Sequence, residues 1–173
     1  MARVYHLDMR PSWFPAVTAG RLRAAFVTAT VTWAGLLVVT PWLASRPHAS
    51  PIASTLILAV YGVGSLVCHQ RPERSYQLWT AQMPVCARCA GIYFGAVIGV
   101  IASALRRGSV GARARRLGPR AILAVAVTPT LVTLVYEWTT GDMPAHAIRA
   151  AAGVAIGLAV AWLVVAAAEN QVN

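Results

Sequence analysis

Apolar and polar positions alternate along this chain in long blocks. Ala24 to Leu43, Ile52 to Val67, Pro84 or Val85 to about Leu105, Ala121 to Tyr136 and Ala147 to Ala168 are five apolar stretches divided by short polar ones. Most approach the ~20 residues a helix needs to cross a bilayer. The pattern therefore predicts an all-α polytopic transmembrane bundle of about five spans, four in a core domain over 52–168 plus the first one at 24–43. Residues 1–23 form a polar arm, and Pro41 with Trp42 marks the interfacial end of the first span. That span is too long for the apolar core of a signal peptide and reads as retained. Pro129 predicts a kink in the fourth span, tolerable where neighbouring helices satisfy the freed backbone.

Small residues add a second pattern. Gly91, Gly95 and Gly99 recur every four residues in the third span, and Gly153 and Gly157 do so in the fifth. Such ladders let backbones approach closely in lipid, where no hydrophobic drive brings helices together. If the two faces pack on one another, Arg149 comes to Ala87, Arg88 and Cys89.

Composition agrees with the membrane reading: 58% of the 173 residues are apolar. The net charge of +10 comes from fifteen arginines and no lysine, gathered at the ends of the apolar runs. That placement answers to membrane topology and anionic lipid rather than to nucleic acid, which is excluded as a partner. Five crossings would put the N-terminal arm, the 68–85 loop and the 137–146 loop on one side, with eight arginines against seven. The six arginines of 106–120, with no acid among them, mark the cytoplasmic side. The expected location is the cytoplasmic (inner) membrane, with the motif loop extracytoplasmic.

Chemistry concentrates at 68–89. Cys68, Cys86 and Cys89 with His69 have the make-up of a Cys3His site, and the C-x-x-C spacing lets Cys86 and Cys89 hold one ion, zinc or iron. His146, on the same face, is an alternative fourth ligand. Three cysteines cannot all pair, which argues against a disulfide framework. Two other readings stay open: a thiol–quinone oxidoreductase using Cys86 and Cys89, helped by the helix terminus and Arg88, and reduced thiols packed at a helix end. Arg71, Arg74, Arg88 and Arg149 suit an anionic group, or form structural pairs such as Arg71–Glu73 and Arg88–Glu137. Glu137 and Asp142 are candidate acid/base groups, or simply charge partners and solvated loop. A non-catalytic accessory subunit, docking a membrane complex through the N-terminal arm and holding a structural metal, is a further alternative.

The run Cys68-His69-Gln70-Arg71-Pro72-Glu73-Arg74-Ser75, followed by Pro84-Val85-Cys86-Ala87-Arg88-Cys89-Ala90-Gly91-Ile92-Tyr93-Phe94-Gly95, resembles the CHQxPxRS…PxCxRCxGIYxG signature of a prokaryotic family of small membrane proteins of unknown function. Arg149 and Gly153 are similar to its later Arg-x-x-x-Gly element. The resemblance covers about residues 52 to 165 and implies a membrane location without a reaction. This chain departs from the pattern at Ala90, where the family tends to have Thr. It offers His146 and Glu137 where an Asn and an Asp are expected.

Overall fold

A computed structural model of the chain describes residues 17–48, 50–105 and 118–170. The arm through residue 16 and the arginine loop over 106–117 lie outside the described residues. Five α-helices follow in order: α1 Val17–Ala44, α2 Pro51–Val67, α3 Ala87–Leu105, α4 Pro119–Thr140 and α5 His146–Asn170. Between α2 and α3 the chain makes a 3-10 turn, Pro72–Arg74, and a hairpin of β1 Ser75–Leu78 and β2 Ala81–Cys86. The all-α fold class holds, and the hairpin is an element the apolar pattern did not predict. Among the described residues four helices are long and apolar enough to cross a membrane: Gly20–Ala44, Ala87–Leu105, Pro119–Thr140 and His146–Ala168.

The centre of the bundle is the contact between α3 and α5. A Cβ on Gly91, Gly95 or Gly99 would meet the backbone of Ala150, Val154 or Leu158, and one on Gly153 or Gly157 would meet that of Arg88 or Ile92. Rising numbers meet rising numbers, so the two helices run parallel, backbone against backbone. The glycine ladders thus pair as the spacing suggests. α4 runs antiparallel to both, with Thr130 Oγ1 donating to the Ala152 carbonyl at 3.1 Å. Its buried Thr130, Thr133 and Glu137 form one polar stripe facing the pair. The helix passes the expected end at Tyr136 and stops at Gly141 (φ 76), whose N–H donates to the Glu137 carbonyl. A left-handed glycine after the last turn is a common helix stop.

α1 corrects the expected topology. Phe26 and Val27 pack against Val100, Ala161 and Val165, while Trp33 and Leu37 pack with Met83, Val85, Ala90 and Tyr93. α1 is therefore antiparallel to α3 and α5, and its N-terminal end lies beside their C-terminal ends. The start of α1 thus lies at the end of the bundle where α3 stops, and its end lies at the motif end, the reverse of what the five-crossing count implies. The five expected helices are present, and what differs is the direction of α1. α2, with 17 residues, leans on α1 and β2 and has at most marginal contact with the other helices. The cysteine loop and the 137–146 connection share one face, as expected.

Candidate metal centre

Three different elements deliver the cysteines. Cys68 is the residue that ends α2, its N–H donating to the Gly64 carbonyl. Cys86 ends β2, and Cys89 lies in the first turn of α3. The register is set by a clamp at Gln70, which turns the chain through a left-handed backbone (φ 47). Its Nε2 donates to the carbonyls of Tyr61 and Pro84, each at 2.7 Å, and its own carbonyl accepts from Gln82 Nε2. Tyr61 O–H donates to the Gln82 carbonyl, closing the seam between α2 and β2. Gly64 is required there, since a Cβ would strike the Pro84 carbonyl. The hairpin ladder is irregular between Ser75 and Gln77, opposite the stretch holding Pro84, which has no N–H to donate.

The result is a cluster of three free thiols whose sulfurs all lie within 4.8 Å of one another. The Cys86 N–H donates to Cys68 Sγ at 3.2 Å. Cys86, at the end of its strand, has its thiol lowered to about 5. The hydrogen bond from Cys89's side chain is the largest cause and burial opposes it; Cys89's backbone, Cys68 and the charge of Arg149 add to the lowering. Neither His69 nor His146 belongs to the cluster of ligand atoms. His69 is exposed at the rim of the cavity. His146 packs its ring against Tyr76 at 5.4 Å between centroids, with Nε2 buried and unpartnered.

Behind the thiols is a buried charge network. Arg88 Nη2 donates to Glu137 Oε1 at 2.8 Å and to Thr133 Oγ1 at 3.0 Å. Arg149, with 2% of its side chain exposed, brings Nε to 3.2 Å from the same Glu137 oxygen. That is ion-pair distance, but the N–H is not aligned for a hydrogen bond. Glu137 is thus the shared counterion of two arginines, in place of a solvated loop residue, while Asp142 is exposed beyond Gly141. Arg71 caps the 3-10 turn and Arg74 ends it, three residues apart. Arg71 makes a loose exposed pair with Glu73 at 4.0 Å. All four arginines and the three cysteines line one open cavity of about 340 Å³. Sequence reasoning missed Gln70, Gln82 and Tyr61 as the clamp. The first lay in plain view beside Cys68, but nothing local announces a side chain that reaches two elements.

Residues 68–163 match a family described as "Predicted membrane protein (DUF2085)". An uncharacterised protein of Methanocaldococcus jannaschii is 38% identical over 65 residues, 38% of this chain and 42% of that protein. An uncharacterised protein of Methanothermobacter thermautotrophicus is 50% identical over 30 residues, 17% of this chain and 27% of that protein. The chain thus spans less than half the length of either relative in these matches. No solved structure matches it.

Proposed function

The chain belongs to this family of predicted membrane proteins, whose description names no activity, and from the site itself we propose that it is a membrane metalloprotein in which Cys68, Cys86 and Cys89 bind one thiophilic divalent ion. The observation that carries this reading is the meeting of three sulfurs from three separate elements within 4.8 Å. Tetrahedral thiolate ligands at about 2.3 Å from zinc stand roughly 3.8 Å apart, so small side-chain adjustments suffice. An all-thiolate set selects zinc or iron over the hard oxygen-seeking ions. Charge agrees. Three thiolates around a dication leave one negative charge, and Arg88 and Arg149 sharing Glu137 leave one positive charge beside it. The three cysteines line the cavity together with the arginines, which would make an ion held there receptive to an anion.

The reading includes an orientation. Arg21 and Arg23 lie on α1's N-terminal end, Arg3 and Arg10 precede it in the sequence, and with the six of 106–120 they give ten arginines to one side. Arg46, Arg71, Arg74, Arg88 and Arg149 give five to the other. Short-loop arginine excess marks the cytoplasm, which leaves the metal centre on the extracytoplasmic face.

The test is elemental analysis of protein purified in detergent under reducing conditions. One zinc or iron per chain is expected, with loss in Cys68→Ser, Cys86→Ser and Cys89→Ser. A second reading, a membrane thiol–quinone oxidoreductase, draws on the lowered Cys86 thiol beside Cys89. Metal-free wild-type protein that forms a reversible Cys86–Cys89 disulfide on adding quinone would replace the metal reading with it. A fourth protein atom on the ion would make the metal structural and favour an accessory role.

A further inference from the structure

The cavity carries more cation than its own carboxylates answer. Glu137 Oε1 is shared between Arg88 Nη2 at 2.8 Å and Arg149 Nε at 3.2 Å, so two buried guanidinium groups hold one carboxylate. Arg149 is all but inaccessible to solvent, lines the cavity, and its Nε has no hydrogen-bond acceptor. Arg74, which lines the same cavity, also has a buried Nε with no acceptor. Groups buried in this way are costly unless something accepts from them. Three guanidinium groups lining one cavity suit a tetrahedral group with several oxygens better than a planar carboxylate.

The rim of the same cavity is apolar on one side. Val67, the last residue of α2, lines it next to Cys68 and is exposed. Val63, one turn back on the same face, and Leu66 are exposed as well, the latter at 84%. α2 leans mainly on α1 and β2, and the exposure of Val63, Leu66 and Val67 leaves this stripe uncovered among the described residues. A charged pocket opening beside an uncovered apolar stripe, at the end of a membrane helix, has the two-part character of a lipid.

We infer that this cavity is the headgroup site of an anionic phospholipid, its phosphate held by Arg149, Arg88 and Arg74 and its acyl chain laid along the Val63–Val67 face of α2. The site deepens the metal reading, on which its charge count rests. With the ion's thiolates balancing the Arg88–Arg149–Glu137 group, Arg71 and Arg74 against Glu73 leave one positive charge, matching the single charge of a phosphodiester.

The test is native mass spectrometry of the full chain in detergent, offered dioleoyl phosphatidylglycerol, dioleoyl phosphatidylcholine or inorganic phosphate, with metal content measured on the same samples. Phosphatidylglycerol should be retained about tenfold better than phosphatidylcholine, and Arg74→Gln and Arg149→Lys should each reduce that retention about tenfold, the value of one charge-assisted hydrogen bond. Arg74 lies outside the buried ion-pair network, so its variant should fold whatever becomes of Arg149. Val63→Ser with Val67→Ser should weaken phosphatidylglycerol retention while leaving the metal in place. Equal retention of the two lipids, retention indifferent to Arg74→Gln, or displacement of the lipid mole for mole by inorganic phosphate would each overturn the inference. Metal-free protein that still prefers phosphatidylglycerol supports the lipid site and sinks the metal centre; stoichiometric metal without lipid preference does the reverse.

Discussion

At the residue scale, the roles separate by what each side chain can lose. Cys86 has a thiol lowered to about 5 against an ordinary value near 9, so its thiolate is present across the neutral range. A depressed acid favours the folded state fully above its unfolded value, and that benefit fades as pH falls through the window from about 9 to about 5. In demetallated protein, iodoacetamide followed by peptide mass analysis should therefore label Cys86 readily at pH 6 and lose it only near pH 5. An unperturbed thiol would already be slow below about pH 8.5. Glu137 is the opposite kind of group. Glu137→Gln leaves Arg88 and Arg149 buried without a counterion, and should cost about 3–5 kcal/mol in thermal or denaturant unfolding. The cysteines and arginines were legible as chemistry because such residues stand out in apolar sequence. Glu137 was legible as a charge partner, but its place inside the helix was not, because the helix was expected to end at Tyr136 and its threonine stripe went unread.

At the element scale, the α3–α5 contact and the hairpin make different demands. Gly157→Ala places a methyl against the Ile92 carbonyl, a neighbour that cannot rotate away. It should cost roughly 1–3 kcal/mol and reduce bound metal, since Arg149 and Arg88 sit on the two helices it forces apart. Gly62→Ala in α2, where a Cβ meets nothing, should leave both quantities unchanged or slightly raise stability. The hairpin turns at Trp79 (φ 50) and Thr80 (φ 72), two residues poorly suited to left-handed backbone. Trp79→Asn with Thr80→Gly should raise the melting temperature, because Asn-Gly fits such a turn at roughly 1 kcal/mol less strain per residue. The glycine ladders were readable because a four-residue repeat is a local pattern. The hairpin was not, because its strands are too short to show alternation and it is held by Gln70 and Tyr61 from elsewhere.

At the scale of the whole molecule, hydropathy reported which stretches are apolar and was silent on their neighbours. That is why α1 was given the wrong direction. Reversing α1 turns an arginine balance of eight to seven into ten to five. Green fluorescent protein fused after Asn173 should fluoresce, and alkaline phosphatase fused at Asp142 should be active, if the thiol face is extracytoplasmic. The converse pair of results would invert the orientation.

The parallel pairing of α3 with α5 also fixes an order of events. Neighbours that run the same way cannot follow one another directly in a membrane, so α4 must cross back between them. When the ribosome has delivered all three cysteines, the helix bearing Arg149 is still unmade. Among the described residues, the pocket's last wall is also the last helix in chain order. A chain stalled or cut before His146 would carry the thiols on an open surface, exposed to stray metals and oxidants. Completion of the pocket is therefore a report that synthesis has passed Arg149.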